Sequence, residues 1–304
     1  MNILITGGFG HLGSELLSKA IHKSYIKNII VVDNFLTERF CSYLKIKNKK
    51  KLIIFDNDIN NFNFNNIKIK INFVIHLAAI TNAEKSFGNE KEILKNNLFG
   101  TKRITNYCVK NKIPLIFASS TSVYGDQSKI INSSNNKEKK IINPQSPYAK
   151  CKILEENYIK KNLRKYLILR LGTICGVSEG MRFHTAINKF SYQVSLNKPI
   201  TIWRKLYKKK RPYLVLSDFV NLIFFLLKKD DIIGIFDVVS ENCSVTEIVK
   251  KIKKFKKKIS IKFVNTKILN QKSYVVIPDE IKRKGFRFKG KIENEIKKNL
   301  KILN

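Results

Sequence analysis

The stretch Ile3-Leu-Ile-Thr-Gly-Gly-Phe-Gly-His-Leu-Gly13 decides the fold, because in it an apolar strand runs directly into spaced glycines. Gly7, Gly10 and Gly13 have the spacing of a turn that approaches a dinucleotide pyrophosphate, and residues 11–23 have the pattern of a following helix. The N-terminus of such a helix presents amide groups and the positive end of its dipole to the phosphates. The sequence therefore predicts a dinucleotide site at this turn.

A second strand supports this interpretation. Ile29-Ile-Val-Val-Asp33 ends in an acid, about 20 residues after the glycines, as the dinucleotide fingerprint requires. An acid at this point accepts both hydroxyls of an adenosine ribose and repels a 2′-phosphate. No arginine directly follows Asp33, so the sequence favours NAD over NADP. The alternative is an ordinary surface turn before a helix.

Strand and helix patterns alternate through the first half of the chain. Short apolar runs predict strands at 2–6, 28–33, 51–55, 72–77, 113–118 and 166–171. Helical patterns occur at 11–23, 88–111, 146–163, 182–197, 217–228, 244–256 and 290–302. Residues 126–145 are polar and are predicted to form a loop that approaches the active site. The alternation predicts an α/β fold, a Rossmann doubly wound parallel sheet with a smaller mixed C-terminal substrate domain. The expected domains are 1–171 and 172–304, with elements near 217–240 returning to the first.

The charge is strongly unbalanced, with 59 Lys and Arg against 23 Asp and Glu and a formal net charge of +36 over 304 residues. Lysine greatly outnumbers arginine, and Ile and Asn are also abundant. This combination of residues indicates an A/T-rich coding sequence. The densest basic runs fall at expected loops, element ends or solvated helix faces, namely 49–51, 137–140, 208–211 and 250–258. We expect salt-sensitive, nonspecific binding to polyanions and no specific nucleic-acid partner.

The cysteine spacing and the length of the apolar runs indicate the cellular compartment in which the protein is expected. Five scattered cysteines form no C-x-x-C pair, which is typical of a reducing environment without a disulfide framework or a zinc site. The first strand begins at once, so no signal peptide is expected. The apolar run 222–227 is too short to span a bilayer. A cytoplasmic protein without a bound metal and without a membrane span is expected.

A candidate catalytic pair lies in the middle of the chain. Tyr148-Ala-Lys-Cys-Lys152 places a tyrosine and a lysine on one helix face. A free phenol titrates near ~10, and a neighbouring ammonium should lower the pKa of Tyr148 toward that of a useful base. Strand 113–118 delivers Ser119-Ser-Thr-Ser-Val-Tyr-Gly125 to the sheet edge where doubly wound folds bind ligands. Tyr/Lys pairs of this spacing also occur on solvent-exposed helix faces without a function. Here the pair follows both the glycine motif and the serine-rich strand end, which favours a catalytic role.

Six ordered motifs resemble those of the extended short-chain dehydrogenase/reductases, and among these the nucleotide-sugar epimerases and dehydratases. The motifs are Thr6-Gly-Gly-Phe-Gly-His-Leu-Gly13, Asp58-Ile59, His76-Leu-Ala-Ala79, Asn97-Leu-Phe-Gly-Thr101, Ser119-Ser-Thr-Ser-Val-Tyr-Gly125 and Ser146-Pro-Tyr-Ala-Lys-Cys-Lys152. The resemblance implies that Tyr148 is the acid/base, that Lys152 also binds the nicotinamide ribose, and that Ser120 holds a sugar oxygen. It implies NAD as the cofactor, held by Gly7, Phe9, Gly10, His11, Leu12, Gly13, Asp33, Asp58, Ile59, Leu77, Ala78, Ala79, Asn97, Tyr148 and Lys152.

The reaction implied by the resemblance is transient oxidation of a sugar carbon. Tyr148 removes a hydroxyl proton while hydride passes to NAD, and the keto sugar then takes the hydride back on its other face. In place of the dehydratases' Asp-Glu pair this chain has Thr121-Ser122, which disfavours dehydration. The expected activity is therefore that of an epimerase, in the first place a 4-epimerase. Its expected role is in sugar-nucleotide or surface-polysaccharide biosynthesis. The alternatives are a ketosugar reductase, a dehydratase and a noncatalytic NAD-bound module.

The second half is expected to bind a nucleotide-diphosphate sugar. The stretch 210–218 resembles the family's phosphate-binding segment, so Arg211 is the candidate for the diphosphate, with an exposed charge as the alternative. The family's second phosphate-binding arginine has no clear counterpart around 270–274. The other candidate substrate contacts are Thr121, Ser122, Thr173, Arg182 and Asn188. His184 as a second base and Trp203 as a stacking platform are weaker hypotheses.

The resemblance also implies an assembly. The family's usual dimer contact is a four-helix arrangement, which in this chain would use the helices at 88–111 and 146–163. A homodimer is therefore expected.

Overall fold

The computed structural model describes residues 1–46, 48–81, 86–125, 130–135, 141–229, 231–265 and 274–303. Its strands are β1 (Asn2–Thr6), β2 (Asn28–Asp33), β3 (Leu52–Asp56), β4 (Phe73–His76), β5 (Leu115–Ser120), β6 (Ile130–Asn132), β7 (Tyr166–Leu171), β8 (Thr173–Cys175), β9 (Ile200–Trp203), β10 (Lys210–Val215), β11 (Gly234–Val238), β12 (Glu241–Ser244), β13 (Ile261–Val264) and β14 (Val275–Ile277). Its α-helices are α1 (His11–Ala20), α2 (Cys41–Leu44), α3 (Glu90–Ile93), α4 (Phe99–Asn111), α5 (Pro147–Asn162), α6 (Ala186–Ser195), α7 (Leu216–Leu226), α8 (Val245–Lys253), α9 (Asp279–Arg283) and α10 (Ile292–Leu303).

Seven strands lie side by side in one sheet, in the order β11-β7-β5-β4-β1-β2-β3, and every neighbouring pair is parallel. Strands β2 and β3 are added on one side of β1, whereas β4 and the strands after it are added on the other side, so the strand order reverses between β1 and β4. This is the switch point of a doubly wound sheet. Ligands of such folds bind in the crevice outside the carboxyl ends of the strands at this point. The prediction of a Rossmann sheet is confirmed, and β11 is the element that returns from the second half of the chain.

The strands are nearly continuous apolar runs because both faces of the sheet are covered. Along β1, Ile3 and Ile5 pack in the cluster that includes Leu16 of α1. Leu4 faces the opposite side, in the cluster that includes Ile104 of α4. Burial of each such side chain stabilises the fold by about 1.5–3 kcal/mol.

The second half adds a smaller mixed region. β10 pairs with β8 in parallel and with β12 in antiparallel orientation, and β9 pairs in parallel with β13. Ile187 of α6, Ile248 of α8 and Ile296 of α10 belong to one buried cluster beside these strands. The expectation of a smaller mixed C-terminal region is confirmed.

One local expectation is wrong, and one predicted helix differs in detail. The polar stretch 126–145, predicted as a loop, contains β6, whose partner β14 comes from far along the chain. The helix predicted at 88–111 is not uniform, because a π-helical turn, Leu94–Leu98, separates α3 from α4. The basic run 137–140 and residues 270–273 lie outside the described residues. In the part of the chain that is described, no helix is both long and apolar enough to cross a membrane.

Candidate active site

The turn after β1 is built so closely that two glycines leave no room for a side chain. Gly7 has φ +69°, and a Cβ there would lie 2.6 Å from the amide nitrogen of Ala78. A Cβ on Gly13 would lie 2.5 Å from the carbonyl oxygen of Gly7. Helix α1 follows with Gly10 as its N-cap, and no side chain caps it. A bare turn leading into an uncapped helix start suits the pyrophosphate of a dinucleotide.

Asp33 at the end of β2 is held against this turn. Its carboxylate accepts hydrogen bonds from the amide of Phe9 at 2.8 Å and from the amide of Phe35 at 2.9 Å. Burial raises the pKa of Asp33, and the two amides oppose that rise. The rings of Phe9 and Phe35 stack with centroids 4.8 Å apart. The acid therefore lies where the sequence expects the adenosine ribose, and these residues fit NAD.

The neighbouring strand ends supply the rest of the candidate cofactor site. Asp58, after β3, accepts hydrogen bonds from the side chain of Asn34 at 3.0 Å and from the amide of Asn60 at 2.8 Å. Ile59 beside it is buried. After β4, the amide of Ala78 donates to the Thr6 hydroxyl at 3.3 Å. The structure thus brings Asp33, Asp58 and the loop after β4 to one edge of the sheet.

Asn97 clamps the loop that follows β4. Its side-chain oxygen accepts from the amide of Ile80 at 2.8 Å, and its side-chain nitrogen donates to the carbonyl of Ile80 at 2.9 Å. Asn97 lies in the π-helical turn Leu94–Leu98, and such turns often occur at functional sites. The geometry matches a structural role for Asn97 beside the cofactor. Leu77 and Ala79 of the same loop line the cavity that also contains Tyr148 and Lys152.

His11 and Leu12 open helix α1. Leu12 lines the cavity, whereas the His11 side chain points away and donates from Nε2 to the carbonyl of Gly176 at 2.9 Å. Burial is the main cause that lowers the pKa of His11 to about 3, so the ring is neutral. Ser178 Oγ donates to the His11 carbonyl at 2.9 Å, and the Gly180 amide donates to Ser14 Oγ at 3.1 Å. The segment 176–180 is therefore fastened onto the start of α1.

The candidate catalytic side chains share one cavity. Ser146 caps α5 by accepting from the amide of Ala149 at 3.2 Å. Tyr148 consequently lies in the first turn of α5, and Lys152 lies one turn later. Ser120 ends β5, and its hydroxyl accepts from the amide of Ser122 at 3.2 Å. Ser120, Tyr148 and Lys152 all line the cavity.

The net electrostatic effect on the catalytic phenol differs from the expectation. Burial, the largest effect, raises the pKa of Tyr148, and the charges of Lys152 and Arg182 lower it without cancelling that rise. Glu155 adds a smaller rise. The expected effect of Lys152 therefore has the right sign, but the expectation of a lowered pKa is wrong for the protein alone, because burial in a low dielectric disfavours the phenolate.

Glu155 is a residue of the site that the sequence reasoning missed. Its Oε2 lies 3.1 Å from the Lys152 ammonium, and both side chains are buried. Burial acts to lower the pKa of Lys152, but Glu155 and Tyr148 together raise it above the usual value. A Lys-x-x-Glu spacing on a helix is the only signal in the sequence, and it is the same in an ordinary solvated pair.

A second buried network of hydrogen bonds and an ion pair fixes the end of β5, the strand that carries Ser120. Glu156 pairs with Arg170 at 2.7 Å and accepts from the Ser119 hydroxyl at 2.5 Å. Arg170 Nη1 donates to the Tyr124 hydroxyl at 3.0 Å, and that hydroxyl donates to Asp237 of β11 at 2.8 Å. Because every member is tied to another, the end of β5 is fixed relative to α5, β7 and β11.

The cavity wall contributed by the second half is basic. Arg182, Lys189 and Arg211 line it, together with Trp203 and His184. Arg211 is partly buried at the start of β10, so the alternative of an exposed charge is wrong. Burial lowers the pKa of Arg211, yet an arginine remains charged in a protein.

Four of the five remaining candidate substrate contacts line the cavity, and one does not. Thr121, Ser122, Thr173 and Arg182 line the cavity. The Thr121 hydroxyl is already engaged, since it donates to the carbonyl of Leu171 at 3.2 Å. Arg182 donates from Nη1 to the hydroxyl of Thr81.

Asn188 does not reach the cavity wall. Its side chain is fully buried and donates to the carbonyl of Arg182 at 2.9 Å while accepting from the amide of Gly176 at 3.3 Å. This corrects the expectation that Asn188 contacts substrate, because its amide group is used to hold the backbone of the Arg182 segment. Over the described ranges, no group of three or more His, Cys, Asp or Glu side chains is arranged to hold a metal ion.

Two of the relatives that this chain resembles in sequence carry the names of sugar-nucleotide enzymes. The chain is 32% identical over 273 residues to a dTDP-D-glucose 4,6-dehydratase of Dictyostelium discoideum, an alignment that covers 82% of this chain but only 61% of that protein. It is 28% identical over 248 residues to an uncharacterized UDP-glucose epimerase of Bacillus subtilis, covering 77% of this chain and 75% of that one.

Among solved structures, the fold is similar to a UDP-glucuronic acid 4-epimerase from Bacillus cereus determined with UDP-glucuronic acid and NAD. The TM-score is 0.89 at 22% identity, with 100% of this chain and 99% of that chain covered. The family model described as the NAD dependent epimerase/dehydratase family matches residues 3–238, which include the glycine turn, Asp33 and the Tyr148/Lys152 pair. This chain belongs to the NAD dependent epimerase/dehydratase family.

Proposed function

We propose that this protein is an NAD-dependent nucleotide-sugar epimerase, in the first place a 4-epimerase, acting by transient oxidation of a sugar carbon. The observation that carries the proposal is that Ser120, Tyr148 and Lys152 line one cavity beside the glycine turn. A noncatalytic NAD-binding module would have no need for this trio.

The catalytic roles follow from the positions of the side chains. When bound, NAD supplies a reversible hydride acceptor, which is the chemistry that the protein lacks. Ser120 holds the reacting hydroxyl of the sugar by a hydrogen bond, and Tyr148 Oη takes its proton and later returns one. Lys152 favours the phenolate of Tyr148 by its charge. Burial of the pair excludes water, which strengthens each of these interactions.

An epimerase is favoured over a dehydratase by the residues next to Ser120. Elimination of water needs an acid beside the substrate, and positions 121 and 122 carry hydroxyl groups. The Thr121 hydroxyl is committed to the Leu171 carbonyl. A dehydratase remains the second candidate because a relative of 32% identity bears that name.

The substrate class is proposed from the charge of the cavity wall. Arg211 is the candidate for the diphosphate, since a guanidinium can fork two phosphate oxygens. The region 172–304 would then hold the nucleotide sugar, while 1–171 together with β11 holds NAD. The solved structure of similar fold contains UDP-glucuronic acid, so UDP sugars are the first to test.

We also propose that the protein acts as a cytoplasmic homodimer. Leu94, Phe99 and Leu154 are large apolar side chains with exposed fractions of 39%, 50% and 46% on the π-helical turn, α4 and α5. A matching patch on a second copy would cover them. Phe99→Glu should give a monomer by light scattering, and a wild-type protein that is already monomeric would refute the dimer.

The experiment that tests the function is proton NMR of UDP-, GDP- and dTDP-sugars incubated with the purified protein without added reductant. A new anomeric signal at unchanged substrate mass supports epimerisation and identifies the sugar. Loss of water from the sugar would support the dehydratase. Turnover only with added reduced nicotinamide, consumed in proportion to product, would support the ketosugar reductase. No reaction across the panel with NAD bound would contradict all three.

A further inference from the structure

The catalytic lysine has a buried acidic partner on its own helix. Glu155 is fully buried, and its Oε2 lies 3.1 Å from the ammonium of Lys152, which is itself 2% exposed. Exposed Lys–Glu pairs contribute little to stability. A buried pair is different, because its two charges lose their hydration, and removal of one partner leaves the other charge uncompensated. Loss of the Glu155 carboxylate would therefore leave the Lys152 ammonium buried without a compensating charge.

Glu155 is itself held by a chain of hydrogen bonds whose donors and acceptors can all be assigned. Its Oε1 accepts from the Thr101 hydroxyl at 2.6 Å, so the oxygen of Thr101 is left to accept from His76 Nε2 at 3.1 Å. His76 therefore carries its proton on Nε2, and its Nδ1 accepts from the Thr6 hydroxyl at 2.5 Å. The Thr6 oxygen in turn accepts from the Ala78 amide at 3.3 Å.

This chain of hydrogen bonds orients the groups that it joins and does not conduct protons. Its far end is the backbone amide of Ala78, which cannot exchange a proton with substrate or solvent on the time scale of turnover. Burial is the main cause that lowers the pKa of His76 to about 3, and the Lys152 charge adds to it, so the ring stays neutral. The chain thus runs from the loop after β4, beside the candidate cofactor site, to the carboxylate that faces Lys152.

We propose that Glu155 is a positioning residue for the catalytic lysine: fixed by Thr101, its carboxylate holds the Lys152 ammonium beside Tyr148 and balances its charge. The inference rests on the proposed function only in taking Tyr148 and Lys152 as the reacting pair. It adds an acid three residues after the lysine to the Ser120–Tyr148–Lys152 trio.

The charged and titratable groups around the pair come from several elements. Tyr148 and Cys151 lie on α5 itself, His76 faces the pair from β4, and Arg182 faces Tyr148 from the segment before α6. Glu156 does not belong to the pair, because its carboxylate is bound to Arg170 and Ser119.

Glu155→Gln removes the charge with little change of shape. The Lys152 ammonium then loses its attraction and gives up its proton more easily, and the Tyr148 phenol loses a repulsion and ionises more easily. Both limbs of the pH profile of kcat/KM should therefore move to lower pH by about one unit. Glu155→Asp keeps the charge and should return the profile toward that of the wild type. A purely structural role would lower activity equally at every pH.

A second measurement uses the cofactor-free protein and needs no substrate. In Glu155→Gln the folded-state pKa of Lys152 drops below the unfolded value of about 10.4. The unfolded chain then binds more protons than the folded one, so the variant gains stability as pH rises. Its loss of stability relative to the wild type, measured by urea unfolding, should shrink between about pH 7 and about pH 9.5.

The matched control is Glu15→Gln. Glu15 forms an i,i+4 pair at 3.6 Å with Lys19 on α1, in which the lysine is exposed and the glutamate is partly exposed. This variant should show neither a shifted pH profile nor a pH-dependent loss of stability between about pH 7 and about pH 9.5. A Glu155→Gln variant that keeps the wild-type profile, or whose loss of stability does not vary with pH, would overturn the proposal. A wild-type protein inactive on every sugar would instead refute the proposed function, and the unfolding comparison would still decide the role of the ion pair.

Discussion

The close approach of β1 to the loop after β4 makes Gly7→Ala a sharp test of the cofactor turn. Two separate costs arise at this position. The first is the backbone conformation, φ +69°, which an alanine adopts at a cost of about 1–2 kcal/mol. The second is a clash, because the new Cβ would lie 2.6 Å from the nitrogen and 2.7 Å from the Cα of Ala78. These atoms are backbone and cannot rotate away.

The clash sets the size of the effect. Overpacking in a close-packed interior costs about 1–3 kcal/mol, so Gly7→Ala should lower the free energy of unfolding by about 2–5 kcal/mol in total. Any relief comes from moving the turn or the Ala78 loop, and both belong to the candidate cofactor site. Each 1.4 kcal/mol of distortion felt by bound NAD lowers its affinity about tenfold. We therefore expect a loss of at least about tenfold in NAD affinity.

Gly88→Ala is the matched control. Gly88 has a similar positive φ of +84°, but within the described part of the chain no atom lies within 4 Å of a Cβ built there. It should lose only the backbone contribution of about 1–2 kcal/mol and bind NAD as the wild type does. Urea unfolding of the cofactor-free proteins and calorimetric titration with NAD measure both quantities. Equal destabilisation of the two variants, with equal NAD affinity, would refute the reasoning.

Three further predictions follow from the site. Tyr148→Phe should reduce turnover by a factor of at least about 10²–10⁴ while bound NAD, measured after release by heat, is retained; loss of NAD with surviving activity would contradict the mechanism. Arg211→Lys keeps the charge but not the forked geometry, so KM for the sugar nucleotide should rise about tenfold at nearly constant kcat; a fall in kcat alone would argue against diphosphate binding. Burial lowers the pKa values of His11 and His76 to about 3, against about 6.5 in the unfolded chain. The unfolded state therefore binds more protons, and each histidine should reduce stability by about 1.4 kcal/mol per pH unit as pH falls below about 6.5. In urea unfolding at two acidic pH values, His11→Gln should remove one histidine's share of this slope, and an unchanged slope would contradict its buried, neutral state.

The sheet and the cofactor turn could be predicted from the sequence because their signals are local. A strand buried on both faces is a short apolar run, and a turn with φ +69° at Gly7 strongly favours glycine. The i,i+4 spacing of Tyr148 and Lys152 likewise follows from helix geometry alone. Family and cofactor could be inferred from the order of these signals along the chain.

The unpredicted features depend on partners distant in sequence. Buried Glu155 accepts a hydrogen bond from Thr101 of α4. No pattern near residue 155 in the sequence predicts that contact. Whether the Thr121 hydroxyl is available to a ligand depends on the carbonyl of Leu171, which accepts a hydrogen bond from it. The sequence predicts a substrate contact for Asn188, whereas in the structure its side chain accepts a hydrogen bond from the Gly176 amide and donates one to the Arg182 carbonyl.

The position of β11 at the sheet edge has a consequence for how the protein is made. A nascent chain has all the other strands of the seven-stranded sheet once residue 171 has left the ribosome, but β11 arrives only with Gly234–Val238. Until then Asp237 is missing from the network of Tyr124 and Arg170. Contacts so far apart in sequence form late and slowly. Release of a chain truncated between these points should therefore yield an aggregation-prone product, and the NAD-binding half should mature only after most of the protein has been synthesised.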